Sequence, residues 1–226
     1  MLFSAISMLR NTQDSTMLKA VNQMASQLSL GVSVHGAADI SFKRMEQRGR
    51  RNLEAMAECC ALMGCMLDVF DGKAHVASLS WAASQEPSGT LSVSSESQHS
   101  MAKAVPAASC TARQRALESS DAKLSRKALE ARCGSGSGSA IAWEVPDHLW
   151  FSSASQLRQC CEGVLAYRNS RAAPSSAELD GLAPWTPGSV VQIECAEADG
   201  MCGKAMVSRV RCDLVSGRSK VWWELI

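Results

Sequence analysis

Cysteine and histidine, the residues that most often bind metals or act as nucleophiles, are numerous here but not grouped. Ten cysteines and four histidines are spread over 226 residues. A zinc site needs C-x2-C pairs or matched cysteine and histidine spacings, and neither occurs. The adjacent cysteines, Cys59-Cys60 and Cys160-Cys161, are poorly placed to bond each other, because disulfide geometry strains so small a ring. We therefore predict no metal site and no cofactor, and we expect reduced cysteines that behave as small buried hydrophobes.

The run GSGSGS, from Gly134 to Ser139, is the stretch most suggestive of a serine nucleophile. A catalytic serine turn has the pattern G-x-S-x-G, with serine at its centre. In this run the same register places glycine at the centre, so the motif is absent and an enzyme is not favoured. Alternating glycine and serine have little to bury, and the run instead predicts a flexible linker and a domain boundary.

A cluster of basic residues suggests a binding surface. The segment KRMEQRGRR places Lys43, Arg44, Arg48, Arg50 and Arg51 within nine positions. On a helix they would form a basic face, for which nucleic acid is one class of partner. Aromatic residues that could stack on bases are not interleaved with them, so the face is equally that of a solvated helix.

Tryptophans and arginines near the C-terminus suggest a second surface. Trp185, Trp222 and Trp223 could line an aromatic cleft, and Arg209 and Arg211 could supply charge to it. Tryptophans of this kind also serve as core residues, and that alternative is open for both Trp222 and Trp223.

The segment from Thr186 to Val210, TPGSVVQIECAEADGMCGKAMVSRV, has an apolar strand pattern followed by a glycine-containing turn. With SRAA at Ser170–Ala173 ahead of it, the segment resembles the FtsJ-type RNA methyltransferases, in which such a strand, turn and helix bind S-adenosylmethionine. The resemblance covers about one-fifth of the chain and is degenerate, since Gln192 stands where that family has an acidic residue. It implies a partial methyltransferase-like segment as the alternative function.

The elements that would position these residues are read from periodicity. Residues 15–30 carry Met17, Val21, Met24 and Leu28 on one helical face, and apolar residues from 42 to 70 recur at steps of three or four. A polar helix is predicted over 112–132. The last 40 residues alternate and predict three antiparallel strands with a turn at SGRS.

These patterns predict an α+β fold. A helical domain at 1–72 would precede a Ser/Ala-rich segment at 73–139, which contains the polar helix and the Gly/Ser linker. A small α+β domain with antiparallel strands would follow at 140–226.

Composition limits the function. The formal net charge is +1, which argues against a surface devoted to nucleic acid or anionic lipid. No apolar run reaches the 20 or so residues that a membrane helix needs, and the N-terminus lacks the basic start of a secretory signal. The sequence therefore favours a non-enzymatic intracellular interaction module of the cytoplasm or nucleus. Its partner is expected to be a protein, with nucleic acid as the second class and no membrane.

Overall fold

The part of the chain that the structure describes is mostly β, with 44% of its residues in strands and 23% in helices. A computed structural model describes residues 11–93, 99–100, 105–120, 125–172, 175–195 and 202–226. The predicted α+β fold, with a helical N-terminal part and a small C-terminal strand region, is therefore wrong. Strands with alternating burial occur in both halves of the chain, and the helices between them are short.

In the described ranges the helices are α1 (Met17–Gln27), α2 (Asn52–Leu62), α3 (Leu79–Ser84) and α4 (Ala154–Ser170). The strands of the same ranges are, in chain order, β1 (Asn11–Thr16), β2 (Gly31–His35), β3 (Ser41–Glu46), β4 (Cys65–Phe70), β5 (Lys73–Ser78), β6 (Thr90–Val93), β7 (His99–Ser100), β8 (Ser109–Gln114), β9 (Leu129–Gly134), β10 (Ala140–Glu144), β11 (Leu149–Trp150), β12 (Ser175–Asp180), β13 (Val190–Cys195), β14 (Gly203–Asp213) and β15 (Arg218–Leu225).

The contacts group the chain into two compact units, and each unit is built from two separated stretches. The first comprises Met1–Ser78 and Ala107–Tyr167, and the second comprises Leu79–Pro106 and Arg168–Ile226. Three-stranded sheets of order β1-β3-β11, β10-β8-β9 and β2-β5-β4 belong to the first unit. The second unit contains a six-stranded sheet of order β6-β13-β14-β15-β12-β7.

The first predicted helix is confirmed as α1. Met17, Val21 and Met24 are buried in the core of the first unit, as their spacing predicts. Thr16, in extended conformation, caps the helix by accepting a hydrogen bond from the backbone N–H of Lys19.

The long helix predicted over 42–70 is wrong, because that segment folds as β3, α2 and β4. Arg48 and Gly49 have φ angles of 46° and 77°, which a right-handed helix does not allow. Gly64, with φ 67°, prevents α2 from continuing into β4. Over a short window, apolar residues at steps of three or four also fit the alternating pattern of a strand. The sequence pattern therefore did not distinguish the strands at either end of this segment from a continuous helix. Asp71-Gly72, which follows the end of the predicted helix, is instead the turn of the hairpin between β4 and β5.

The polar helix predicted over 112–132 is also wrong. Its ends lie in β8 and β9, which pair antiparallel from Ser109↔Gly134 to Gln114↔Leu129. Residues 121–124 of the predicted helix lie outside the described residues. Alternate positions of β9 are buried, because Ala131 and Cys133 face the core while their neighbours face solvent.

The Gly/Ser run is not a flexible linker. It carries the chain from β9 to β10, which both pair with β8 in one sheet. At Gly134, with φ 74°, a Cβ atom would overlap the Ala108 carbonyl oxygen and lie 2.9 Å from Ser109 Cα. Ser139 accepts a backbone hydrogen bond from Ala108 N at 2.8 Å. The glycines thus serve close packing at the end of a sheet.

The three C-terminal strands are confirmed. β13 pairs with β14, and β14 pairs with β15 in antiparallel register. The final strand also pairs with β12 on its other side, so it is an interior strand of the sheet. Val191, Ile193, Val207, Val221 and Trp223 form the centre of this unit's core.

At Gly163, the backbone of helix α4 lies so close to the turn after α2 that a larger side chain would not fit between them. A Cβ atom on Gly163 would overlap the Leu62 carbonyl oxygen and lie 2.7 Å from Gly64 N. The neighbours of Gly163 along the helix, Cys160, Cys161 and Val164, are buried in the same core. Gly163 is therefore required by backbone-to-backbone contact rather than by helix propensity.

We expect Gly163→Ala to lower the free energy of unfolding by about 2 kcal/mol, because neither backbone segment can move aside. Helix propensity alone would change stability in the opposite direction by about 1 kcal/mol. Urea denaturation followed by circular dichroism measures the difference. Gln159→Ala, at an exposed position of the same helix, is the control and should stay within about 0.5 kcal/mol of the parent. A stabilised Gly163→Ala variant would contradict the close approach.

Candidate interaction surface

The hairpin of β14 and β15 extends beyond the strand that flanks it. β13 pairs with β14 from Gly203 to Met206, and Val207 still bonds to the segment just before β13. A bulge between Val207 and Arg209 shifts the register, and β14 then pairs with β15 alone as far as Asp213. In the described residues the second half of β14 therefore has one free edge, which is a typical site for further pairing.

The two adjacent tryptophans of β15 face opposite sides of the sheet. Trp223 is 1% exposed and belongs to the core. Trp222 is half-buried on the other face, where the guanidinium of Arg209 lies 4.9 Å from its ring centroid and the ammonium of Lys220 lies 5.6 Å away. Both are cation–π contacts, so the ring of Trp222 packs against two positively charged side chains.

The predicted aromatic cleft is only partly assembled. The structure brings together Trp222 and Arg209, and it places Arg211 opposite Lys220 in the register of the same hairpin. Trp223 lies on the buried face. Trp185 is half-buried against the core of the second unit, where a Cβ atom on Gly89 would lie 3.1 Å from its Nε1. A binding role for these residues stays a prediction.

The charges around the hairpin are not fully compensated. Arg218 pairs with Asp180 at 3.2 Å and Lys220 pairs with Glu178 at 3.5 Å, both across β12 and β15. Arg209 and Arg211 are exposed, and among the described residues neither forms an ion pair with a carboxylate. The charge of Arg211 nevertheless helps to lower the pKa of Asp213. An open depression of about 340 Å³ beside them is lined by Glu178, Arg211, Asp213, Ser216, Arg218 and Lys220.

The turn of the hairpin comprises residues 214–217, beginning two positions before the predicted turn at SGRS, and it exposes two large apolar residues. Leu214 is 81% exposed and Val215 is 99% exposed. The turn is ordered by Asp213, whose carboxylate accepts hydrogen bonds from the backbone N–H groups of Val215 and Ser216 at 2.9 and 3.3 Å. A hydrogen bond from the Ser216 side chain and these two backbone bonds lower the pKa of Asp213 below its usual value. The pair of apolar residues inside a turn was the signal that could have identified the tip.

The predicted basic helix face does not exist, because its residues lie on β3 and in the connection to α2. Four of the five are paired with carboxylates: Lys43 with Asp14 at 2.8 Å, Arg44 and Arg48 with Glu46 at 2.7 Å each, and Arg50 with Glu58. Arg51 is the N-cap residue just before α2, and its backbone N–H donates to Glu54. Paired cations have little charge left for phosphates, so a nucleic-acid partner is not supported.

Glu58 is the centre of a half-buried ionic cluster that no sequence pattern indicates. His148, which lies 90 positions away in the sequence, has its Nε2 atom 2.9 and 3.1 Å from the two carboxylate oxygens of Glu58. Arg50 contacts the same carboxylate. Burial alone would raise the pKa of Glu58, but hydrogen bonds to His148 and Arg50 outweigh it and hold that pKa below its usual value. The cluster joins α2 to the segment before β11.

Other chemistry is not supported by the described residues. They contain no group of three or more His, Cys, Asp or Glu that could hold a metal ion. In that part of the chain no helix is long and apolar enough to cross a membrane. The methyltransferase-like segment is wrong as well, because β13 is followed by the antiparallel strand β14 where the resemblance requires a helix. Gly200 of its turn lies outside the described residues.

Comparison with known proteins gives a likeness of fold but not of sequence. No family model and no curated protein matches the chain. The tail protein from Neisseria meningitidis MC58 has a TM-score of 0.66 and 14% identity, over 99% of this chain and 71% of that one. The 43 kDa tail protein of prophage MuSo2 from Shewanella oneidensis has a TM-score of 0.60 and 11% identity, over 94% and 66%. A chain of a native gene transfer agent virion has a TM-score of 0.56 and 13% identity, over 91% and 45%.

This likeness contradicts both functional expectations drawn from the sequence. The solved structures that share the fold over nearly the whole chain are a tail protein and a prophage tail protein, and neither is an intracellular interaction module or a methyltransferase by its description. The present chain spans 71% and 66% of the lengths of the two tail proteins.

The adjacent tryptophans give a matched test of the two faces of the sheet. We expect Trp223→Ala to cost about 3–5 kcal/mol, because it leaves a large cavity in the core. Trp222→Ala should cost about 1 kcal/mol, since it removes cation–π contacts at a half-buried site. Thermal unfolding of both variants measures the difference. Equal losses would show that the assignment of the two faces is wrong.

The ionic cluster gives a pH-dependent test. Because the pKa of Glu58 is lowered on folding from 4.5, its contribution is present above about pH 4.5 and is lost as the pH falls through the folded-state value. We expect Glu58→Gln to cost about 2 kcal/mol at pH 7, and the difference from the parent to shrink in acid. Unfolding measured from pH 7 to pH 3 checks this. Glu162→Gln, which breaks the exposed Arg158–Glu162 pair, should change little at any pH.

Proposed function

We propose that this chain is a structural component of a phage-tail-like particle and that its partners are other proteins of that particle. The observation that carries the proposal is the extent of the fold likeness, which covers 99% of this chain in one tail protein and 94% in another. Both compact units are thus accounted for by a fold that known tail proteins use. Fold alone does not determine function, so the surfaces of the chain must supply the second support.

The hairpin of β14 and β15 provides that support. It combines a free strand edge, two exposed arginines that form no ion pair among the described residues, and an exposed apolar tip. Single exposed hydrophobic residues are ordinary on protein surfaces. Leu214 and Val215 are adjacent, almost fully exposed and held by an ordered turn, and a contact that buries both would gain about 2–4 kcal/mol. A subunit of an assembly needs surfaces of this kind, whereas an enzyme would need a cluster of acids, bases or a cofactor.

The direct test is to determine whether the chain is part of a particle. Particle production would be induced in the organism that carries the gene, and the particles would be purified by density gradient with and without deletion of the gene. We expect the chain to copurify with other tail proteins at a constant ratio, and the deletion to abolish complete tails in electron micrographs. Unchanged particles after deletion, together with absence of the chain from the gradient peak, would contradict the proposal.

The hairpin tip gives a residue-level test. We expect the double variant Leu214→Ser and Val215→Ser to fold normally, because neither side chain contributes to the core, and to enter particles at least about tenfold less than the parent, the effect of losing about 1.4 kcal/mol of contact. Complementation of the deletion, with the variant quantified in purified particles, measures this. Leu182→Ser, which changes another exposed apolar residue of the same unit, is the control and should enter normally. Equal incorporation of all three proteins would show that the tip is not a contact.

A further inference from the structure

The ten cysteines of the chain are all free thiols, and they fall into two classes. Seven lie buried in the first unit: Cys59, Cys60, Cys65, Cys110, Cys133, Cys160 and Cys161. The second unit holds the other three, of which Cys195 is half-buried while Cys202 and Cys212 are exposed. Thiol chemistry with reagents in solution is therefore confined to the second unit.

Cys195 and Cys202 lie together where the β13–β14 ladder ends. The last residue pair of that ladder is Ile193 with Gly203. Cys195 lies two positions after Ile193, and Cys202 lies one position before Gly203. The Cys202 thiol lies 3.6 Å from the Cys195 carbonyl oxygen, and its proximity to the Cys195 side chain is one cause of the raised pKa of Cys195. Regular alternation would turn these two side chains to opposite faces. Gly203 departs from it with φ 148°, a conformation that favours glycine, and this allows Cys202 to turn towards Cys195.

We propose that Cys195 and Cys202 form a redox-active dithiol, which a low-molecular-weight disulfide such as oxidised glutathione converts into a disulfide bond between β13 and β14. In the first step the exposed Cys202 thiolate attacks one sulfur of the oxidant. A Cys202–glutathione bond forms, and one reduced glutathione leaves. The Cys195 thiol then loses its proton and attacks the Cys202 sulfur, which releases the second glutathione. Two protein thiols are oxidised and one disulfide is reduced to two thiols.

Accessibility decides the order of these steps. Burial, with the contact to Cys202, raises the pKa of Cys195 to about 11, so Cys195 is the poorer first nucleophile at neutral pH. It needs to act only when the mixed disulfide is already beside it, where its effective concentration is high.

A closer thiol pair in the first unit shows why exposure matters. The sulfur atoms of Cys133 and Cys161 are 3.2 Å apart, but both residues are buried. Burial raises the pKa of Cys133 to about 12 and that of Cys161 to about 11. Neither sulfur can be reached by glutathione, so this pair should stay reduced under conditions that oxidise Cys195 and Cys202.

Cys212 provides an internal control within the same protein. It is exposed, and its sulfur accepts a hydrogen bond from the Ser219 hydroxyl at 3.5 Å rather than contacting another thiol. An exposed thiol without a resolving partner should stop at the mixed disulfide. The two chemistries can therefore be distinguished in one experiment.

The test is to treat the reduced, folded full-length chain with oxidised glutathione and to analyse it by intact and peptide mass spectrometry without reduction. We expect one glutathionyl group, on Cys212, and a cross-linked peptide pair containing Cys195 and Cys202. The Cys195→Ser variant should carry two glutathionyl groups, because the mixed disulfide on Cys202 can no longer be resolved. Circular dichroism confirms that the variant is folded, and Cys195→Ala is the second variant if it is not.

Three outcomes would overturn the inference. They are a stable glutathionyl group on Cys202 in the parent protein, a bond between Cys202 and Cys212, and a cross-link between Cys133 and Cys161 that forms as fast as the expected one. Either of the first two would mean that the geometry at the end of the β13–β14 ladder does not bring the two thiols together in solution. The third would mean that exposure does not decide which thiol pair is oxidised. The result does not depend on whether the chain is found in a particle.

Discussion

The first unit depends on one contact between backbones. Helix α4 lies so close to the turn after α2 that only glycine fits at Gly163, with Leu62 and Gly64 on the other side. This contact sets the position of Cys160 and Cys161, which are buried where α2 and the strands of the β8–β9 hairpin meet the helix. Small, polarizable thiols suit such a site because they fill irregular space without a long side chain. The abundance of cysteine is thus explained by close packing of short helices against narrow sheets.

The second unit depends on the burial of β15 between two partner strands. One of its faces carries Val221 and Trp223 into the core, and the other carries Trp222 to a site covered by cations. The hairpin of β14 and β15 then continues beyond the end of its pairing with β13. Its base is paired on both sides, and its far end carries the exposed apolar tip. A rigid base with an exposed end is a suitable construction for contact between subunits.

Charge is arranged differently in the two units. In the first, the basic run is matched by Asp14, Glu46 and Glu58, and the pair of Lys43 with Asp14 joins β3 to β1. In the second, Arg209 and Arg211 form no ion pair with a carboxylate among the described residues, although the charge of Arg211 helps to lower the pKa of Asp213. Where charges are paired they contribute to folding, and where they are unpaired they are available to a partner. That contrast is the physical reason for proposing the hairpin, rather than the basic run, as the contact surface.

The sequence by itself determined the features that depend on neighbours along the chain. These are α1 with its apolar face, the three C-terminal strands and the absence of metal-ligand spacings. It also named Trp222 and Arg209, although it could not assign Trp222 and Trp223 to their faces before the register of β15 was known.

Tertiary structure decided everything that depends on residues far apart in sequence. The apolar residues from 42 to 70 fit both the helical and the strand period over short windows. Only pairing with β1, β5 and β11 selects strands at the two ends of this segment. The composition of the Gly/Ser run predicts a flexible backbone. In the structure Ala108 and Ser109 pack against the run, and this contact orders it. Likewise, Glu58 meets His148 across 90 positions. A local pattern records the preferences of the backbone, but the free energy that selects among them comes from long-range packing.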